Sequence, residues 1–189
     1  MRILLLDNYD SFTWNLHHVL VQHAAVDVVR NDAITVSQAA VYDRIVLSPG
    51  PGLPSEAGIM MDLLRTLVPT HPILGVCLGM QGLVEACGGR LYNQQRVMHG
   101  VAVPCMHTEP RDVLFADLPP VFEVGLYHSW AAEEATLPTT LRITARSAQG
   151  VIMAVRHTAY PACGVQFHPE SVLTPLGAQL IRNWVQAAH

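Results

Sequence analysis

Lysine is absent from this sequence of 189 residues, so its eleven strongly basic residues are all arginines. The absence excludes an enzyme that forms a Schiff base through lysine, and it excludes a GxxxxGK[ST] phosphate-binding loop. No basic block occurs anywhere, and the formal net charge is −4. A protein that binds nucleic acid or an anionic membrane surface is therefore not expected.

Long hydrophobic runs are also missing. The amino-terminal run at residues 3–6 stops at Asp7, which is too short for a secretory signal. No stretch of about 18 apolar residues could cross a bilayer. The four cysteines stand far apart without a CxxC pair, a pattern typical of free thiols rather than of a disulfide framework. We therefore expect a cytoplasmic protein.

The composition is that of a folded chain with a large core. Half of the residues are hydrophobic and only 14% are charged, which argues against disorder. The length suits one domain of ordinary size, and the sequence shows no repeat, linker or low-complexity tract. A single domain covering residues 1–189 is predicted.

Apolar and polar patterning divides the chain into two parts. In the first, strands are predicted at 2–6, 26–30, 44–48 and 72–76, and helices at 10–23, 56–68 and 78–87. In the second, strands are predicted at 97–106, 121–127, 140–146, 150–156 and 162–167, and a helix at 175–187. Alternating strands and helices imply right-handed crossovers. The predicted fold is α/β, an open, mostly parallel twisted sheet with helices on both faces and a small antiparallel addition.

Cys77 follows an apolar strand, has a glycine two residues before it and another two residues after it, and precedes a helix. This is the spacing of a nucleophile elbow, with cysteine in the place of serine. The glycines permit a tight strand-to-helix turn, while backbone N–H groups at the helix start favour a thiolate and can bind an oxyanion. The alternative is a buried core cysteine beside packing glycines.

His168 ends another apolar run and is followed by Pro169 and Glu170. Proline favours an extended conformation in the residue before it, and residues i and i+2 of an extended segment point to the same side. Glu170 can then accept a hydrogen bond from the imidazole and fix its tautomer. The alternative is a strand-end histidine with an unrelated surface glutamate, but a cysteine elbow in the same chain favours a triad.

The segment SPGPG at residues 48–52 follows the third predicted strand. It should lie at the same carboxyl edge of the sheet as Cys77, which is where open α/β sheets bind their ligands. Its prolines stiffen the loop, and its glycines allow backbone N–H groups to approach a substrate closely. The segment is either part of a binding site or a simple connection between strand and helix.

Together these three segments, in this order, resemble the class I (triad) glutamine amidotransferase domain. The resemblance covers nearly the whole chain and includes residues 6–13, 30–32, 56–58, 98–100 and 127–129. These additional segments are similar to the small component (component II) of anthranilate synthase and of aminodeoxychorismate (para-aminobenzoate) synthase.

The resemblance implies a role for each catalytic position. Cys77 would be the nucleophile, His168 the general base and acid, and Glu170 the group that orients the histidine. The backbone amides of Gly52 and Leu78 would form the oxyanion hole.

The resemblance also implies a binding site for glutamine. Its residues would be Gly50, Gln81, Ser129 and Trp130, with Gln81 and the backbone near Ser129 and Trp130 holding the α-amino and α-carboxylate groups. No metal site and no cofactor are expected in this chain, whereas Mg²⁺ is expected in the partner synthase subunit.

The implied activity is hydrolysis of L-glutamine to glutamate through a γ-glutamyl thioester on Cys77. Ammonia would pass to a large chorismate-binding synthase subunit in a hetero-oligomer. Anthranilate synthase is favoured over aminodeoxychorismate synthase because residues 151–157 and 163–164 look nearer to that branch. Two alternatives remain, a stand-alone γ-glutamyl cysteine hydrolase and a regulatory subunit that keeps the pocket without turnover.

Three positions depart from the family pattern. The family commonly has histidine where this chain has Met80, lysine where it has Val101, and arginine where it has Leu126. Such changes indicate either altered docking or coupling to the partner, or a change in packing alone.

Overall fold

The computed structural model describes residues 1–109 and 111–188, without the side chains of residues 95–97. The described residues form one nine-stranded sheet. The strands are β1 (Arg2–Asp7), β2 (Ala25–Arg30), β3 (Arg44–Leu47), β4 (Ile73–Val76), β5 (Leu91–His107), β6 (Val121–Ala132), β7 (Leu141–Ser147), β8 (Ile152–His157) and β9 (Ala162–Val165). The helices are α1 (Thr13–Leu20), α2 (Val36–Ala39), α3 (Met60–Leu67), α4 (Leu78–Ala86) and α5 (Gly177–Gln186).

The sheet changes character at β9. Its strand order is β2-β1-β3-β4-β9-β8-β7-β5-β6. The pairs from β2 to β9 are all parallel, and the pairs from β9 to β6 are all antiparallel. We call β2, β1, β3, β4 and β9 the parallel half, and β8, β7, β5 and β6 the antiparallel half. The predicted α/β fold is confirmed, and the antiparallel addition supplies four of the nine strands.

Helices cover both faces of the parallel half. Successive residues of β1 alternate between two core clusters, with Ile3 and Leu5 in one and Leu4 and Leu6 in the other. Helices α1 and α5 pack in the first cluster, whereas α2, α3 and α4 pack in the second. Burial on both faces explains why these strands are continuous apolar runs in the sequence. Among the described residues, no helix has the length and hydrophobicity needed to cross a bilayer.

The structure changes several predicted bounds: α1 spans Thr13–Leu20 rather than residues 10–23, and the short helix α2 was not predicted. Helix α3 begins at Met60 rather than at residue 56, because residues 54–56 form a 3₁₀ turn and Gly58 takes a φ of +52°. Strand β5 runs from residue 91 to residue 107, although the sequence pattern predicts a strand only from residue 97. The pairing of β5 with β6 has register shifts that interrupt its alternation.

Helix α5 is fixed at both of its ends. At its start, Gly177 lies against the backbone carbonyl of Pro169, and a Cβ atom at this position would collide with that oxygen. At its end, the guanidinium of Arg44 in β3 donates hydrogen bonds to the carbonyl oxygens of Trp184 (3.1 Å) and Ala187 (2.7 Å). The helix therefore joins the middle of the parallel half to the segment that follows β9.

Candidate active site

The carboxyl ends of the parallel strands bring the predicted site segments together. Strands β1, β3, β4 and β9 are successive neighbours, so the residues that follow them meet at one edge of the sheet. The N–H of Cys77, directly after β4, donates to the carbonyl of Val165 at the end of β9 (2.8 Å). Cys77 and His168 therefore leave adjacent strands at the same edge, as the sequence pattern predicts.

Cys77 occupies a sharp turn between β4 and α4. Its φ of +51° and ψ of −101° are a rare backbone conformation for a residue with a side chain, which is typical of strained functional sites. A Cβ atom on Gly75 would collide with the backbone of Gly79, and one on Gly79 would lie 2.7 Å from the carbonyl oxygen of Leu47. Both glycines are therefore required where the strand and helix approach each other closely, and the geometry fits a nucleophile elbow.

His168 and Glu170 form a buried pair. The Nδ1–H of His168 donates to Oε1 of Glu170 at 2.8 Å, and the two side chains are 3% and 0% exposed. The imidazole ring also lies against two aromatic rings, with centroid distances of 4.8 Å to Tyr127 and 5.2 Å to Phe12. These contacts fix the ring. The second ring nitrogen, Nε2, has no hydrogen-bond partner within the described residues.

The charge state of His168 is set by competing effects. Burial lowers its pKa, but the interactions with Cys77 and with Glu170 outweigh burial and raise the pKa to about 10. The imidazole therefore holds a proton near neutral pH while it faces the sulfur. A protonated imidazole next to a cysteine can act as a general acid toward a leaving group.

The glycine loop lies beside the start of α4. A Cβ atom on Gly50 would be 2.7 Å from both Asn8 and the side chain of Leu78. Gly52 has a φ of +73°, in the left-handed region that favours glycine. The loop and the first turn of α4 thus lie side by side, which an oxyanion hole formed by the amides of Gly52 and Leu78 would require. Their role in binding an oxyanion stays a prediction.

Gln81 connects α4 to β6 in the antiparallel half. Its Nε2 donates to the carbonyl of Trp130 at 2.9 Å and to Oε1 of Gln166 at 3.2 Å. Ser129 and Trp130 are half-buried on β6. The structure therefore brings Gln81 and Trp130, two of the predicted glutamine-binding residues, into contact one helical turn after Cys77.

Two buried polar residues beside Cys77 and His168 were not predicted from the sequence. Gln166 is fully buried, and its Nε2 lies 3.5 Å from Sγ of Cys77. His128 is 4% exposed, and its pKa is lowered to about 4 by burial and by the charge of His168. A signal for Gln166 was present, because a polar residue inside the apolar run at 162–167 needs a hydrogen-bonding partner when buried.

The three departures from the family pattern lie in different environments. Met80 is fully buried and packs against Gly164 of β9, which favours a change in packing. Val101 and Leu126 are partners across β5 and β6. Leu126 is buried at the edge of a cavity of about 320 Å³ that Met98 and Met153 also line. These last two positions together form one apolar region of the antiparallel half.

Comparisons with known proteins agree with this geometry. The family described as "Glutamine amidotransferase class-I" matches residues 4–188. Aminodeoxychorismate synthase component 2 of Escherichia coli (strain K12) is 44% identical over 186 residues, which cover 97% of this chain and 98% of the relative. Anthranilate synthase component 2 of Mycobacterium tuberculosis (strain CDC 1551 / Oshkosh) is 43% identical over 191 residues, which cover 98% of this chain and 82% of the relative. A crystal structure from Thermoplasma acidophilum, of a protein provisionally assigned to GMP synthase, has a TM-score of 0.87 at 25% identity and covers 98% of this chain and 92% of its own.

Proposed function

Because the chain belongs to the class-I glutamine amidotransferase family, we propose that it is the glutaminase component of a synthase that uses chorismate. Relatives named as component 2 of anthranilate synthase and of aminodeoxychorismate synthase support a partner synthase subunit. Both branches are retained, because relatives of nearly equal identity carry each name. The observation that carries the proposal is the buried His168–Glu170 pair beside the elbow at Cys77.

The first chemical step follows from this arrangement. The Cys77 thiolate attacks the side-chain carbonyl carbon of glutamine, and a new C–S bond forms as the carbonyl oxygen becomes an oxyanion. The proposed donors to that oxyanion are the amides of Gly52 and Leu78. His168 then gives its proton to the departing nitrogen, and breakage of the C–N bond releases ammonia and leaves a γ-glutamyl thioester.

Hydrolysis of the thioester completes the cycle. His168, now neutral, takes a proton from water as the water oxygen attacks the thioester carbonyl. Breakage of the C–S bond releases glutamate and restores the thiolate and the protonated imidazole. Glu170 keeps Nδ1–H as a donor in both steps, so that Nε2 always faces the reacting atoms.

The proposed partner uses the ammonia. Ammonia is a nucleophile only while it is unprotonated, and bulk water near neutral pH would protonate it, so direct delivery to a synthase subunit is needed. The chorismate site and the Mg²⁺ ion are proposed to lie in that subunit. Gly50, Gln81, Ser129 and Trp130 are proposed to hold the α-amino and α-carboxylate groups of glutamine on this chain.

The complex of the chain with its synthase subunit provides the test. We expect Cys77→Ala to abolish synthesis from glutamine while leaving synthesis from ammonium salts intact. Cys87→Ala is the matched control, because Cys87 is half-buried at the end of α4, and we expect it to retain both activities. Loss of both activities in Cys77→Ala would contradict the proposed division of labour.

The same complex distinguishes the two remaining alternatives. A stand-alone hydrolase would hydrolyse glutamine at an equal rate with and without the synthase subunit, whereas the proposed component is expected to be faster with it. A non-catalytic subunit would leave Cys77 unreactive toward an electrophilic glutamine analogue even in the complex. We expect labelling of Cys77 and protection by excess glutamine.

A further inference from the structure

Gln166 lies between the nucleophile and the residue proposed to bind the substrate. Its side chain is fully buried directly after β9. Its Nε2 donates to Sγ of Cys77 at 3.5 Å, and its Oε1 accepts from Nε2 of Gln81 at 3.2 Å. Its backbone N–H donates to the carbonyl of Met153 at 2.8 Å, so the neighbouring strand β8 fixes the residue from which this side chain extends.

The carbonyl of Trp130 determines how the two glutamine amides of this hydrogen-bond chain are oriented. The carbonyl of Trp130 can only accept, so the NH₂ group of Gln81 must face it. The second hydrogen of that NH₂ group donates to Gln166, which therefore turns its oxygen toward Gln81. The NH₂ group of Gln166 is left facing the sulfur. The amide orientation thus follows from a backbone carbonyl on β6 and from hydrogen-bond complementarity.

We propose that Gln166 is a positioning residue that holds the sulfur of Cys77 by an N–H···S hydrogen bond and connects it to the substrate-binding amide of Gln81. The inference rests on the proposed function, because it assigns Gln81 to the substrate. The two N–H hydrogens of the Gln81 amide donate to the carbonyl of Trp130 and to Oε1 of Gln166. Oε1 of Gln81 is therefore the atom that accepts a hydrogen bond from the α-ammonium group of glutamine.

The N–H donor acts differently on the two states of the sulfur. A hydrogen bond to an ionised acceptor is roughly twice as strong as a bond between neutral groups, so Gln166 stabilises the thiolate more than the thiol. The ionisable groups that face this region are His168, Glu170 behind it, and the buried His128 near His168. Gln166 is the neutral donor among these groups.

The test measures alkylation of Cys77 by iodoacetamide between pH 5 and pH 10, with the Cys77 peptide quantified by mass spectrometry. This assay uses no glutamine and no partner. We expect Gln166→Met, which keeps length and volume but has no donor, to slow alkylation at pH 6 by about tenfold and to move the half-maximal rate about one pH unit upward. Gln179→Met is the matched control, because Gln179 on α5 donates to the loop carbonyls of Ala116 and Asp117, and we expect it to leave the profile unchanged.

A second variant separates positioning from folding. Gln166→Glu keeps the side-chain size, but above its own ionisation its carboxylate cannot donate to the sulfur. We expect the pH of half-maximal alkylation to rise further in Gln166→Glu than in Gln166→Met. Near-ultraviolet circular dichroism checks folding, and if neither variant folds, Gln81→Met removes the donor that orients Gln166 and is expected to give a smaller displacement.

Glutamine kinetics, measured in the complex with the synthase subunit, provide a second readout. We expect Gln166→Met to lower kcat through the sulfur and to raise KM through the loosened Gln81. An unchanged alkylation profile in folded Gln166 variants would overturn the inference even if glutaminase activity fell. A displaced profile in a chain that never hydrolyses glutamine would instead support the contact with the sulfur and contradict the proposed function.

Discussion

The parallel and antiparallel halves of the sheet contribute differently to the site. The parallel half supplies the groups proposed for chemistry, because Cys77 follows β4 and His168 and Glu170 follow β9. The antiparallel half supplies the carbonyl of Trp130, the ring of Tyr127 and the buried His128, which surround those groups. The groups proposed for chemistry thus follow parallel strands, and buried neighbours of these groups come from the antiparallel strand β6.

The two halves also differ in how they use buried charge. In the parallel half, the buried His168–Glu170 pair belongs to the proposed chemistry. In the antiparallel half, Arg156 of β8 makes two hydrogen bonds to Asp112, whose side chain is fully buried. That second pair ties the connection between β5 and β6 to the middle of the sheet. We therefore expect substitutions in the two pairs to have opposite consequences.

The largest effect on stability is expected from Arg156→Ala. Removing the arginine leaves the carboxylate of Asp112 buried without its cation, which should lower the free energy of unfolding by about 4 kcal/mol. Urea denaturation measures the loss, and the glutaminase rate per folded molecule in the synthase complex should be unchanged. Arg142→Ala is the control, because Arg142 is 51% exposed and its ion pair with Glu109 is long. A marked loss of rate in folded Arg156→Ala would contradict the expectation that the Arg156–Asp112 pair serves stability and not the proposed chemistry.

Glu170→Gln is expected to show the opposite behaviour. An amide at this position no longer fixes the tautomer of His168 or favours its charged form, so kcat for glutamine should fall by about a hundredfold or more. The free energy of unfolding should change by only about 1 kcal/mol, since the side chain keeps its size. Steady-state glutaminase assays and urea denaturation of the same preparation test this pair of expectations. A stability loss like that of Arg156→Ala would show that the two buried pairs are equivalent.

His128 gives the antiparallel half its own pH dependence. Its pKa is lowered to about 4 in the folded chain, whereas an unfolded histidine has a pKa of about 6.5. The unfolded state therefore binds more protons than the folded state between pH 4 and pH 6.5. The contribution of neutral His128 to the free energy of unfolding is complete above pH 6.5 and is lost as the pH falls toward 4.

Replacing this histidine should flatten the acid side of the stability profile. Lowering the pH from 6.5 to 4 should reduce the free energy of unfolding of both proteins. The reduction in His128→Gln should be smaller by about 3 kcal/mol than that in the unmodified chain. Denaturant titrations at several pH values measure the difference. His18→Gln, at an exposed position on α1, should follow the unmodified chain. Parallel profiles for His128→Gln and the unmodified chain would refute the assignment of a neutral buried imidazole.

The smallest effect is expected from Val101→Lys. Val101 is 37% exposed on β5, so a lysine can extend into solvent and should change the free energy of unfolding by less than about 0.5 kcal/mol. Val172→Lys is the control, because Val172 is 91% exposed. We also expect an unchanged glutaminase rate in the synthase complex. A changed rate with intact stability would show that the antiparallel half takes part in communication with the partner.

The sequence predicted the parallel half well because its signals are local. A buried strand followed by glycine, cysteine and glycine can be recognised within seven residues, and His168 and Glu170 stand two residues apart. Long-range pairing then had only to bring β4 and β9 together, which a parallel α/β sheet does at its carboxyl edge. The start of α3 was wrong because Gly58 adopts a positive φ that periodicity does not show.

The antiparallel half was harder to predict for physical reasons. The alternation of β5 is broken by register shifts between Asn93 and Met98 and between His99 and Val101, so a strand of seventeen residues does not show one pattern. The contact between Gln166 and Cys77 depends on two side chains 89 positions apart. The orientation of both amides follows from a backbone carbonyl on a third segment, and no spacing in the sequence encodes that carbonyl.

The attachment of α5 has a consequence for how the protein is made. The first glycine of the helix packs against Pro169, which lies between His168 and Glu170, and the other end of the helix is held by Arg44 of β3. While a ribosome still holds residues 177–186 in its exit tunnel, the contacts of α5 with Pro169 and Arg44 have therefore not formed. We expect glutamine consumption to begin only after this segment has emerged, so that unfinished chains release no ammonia.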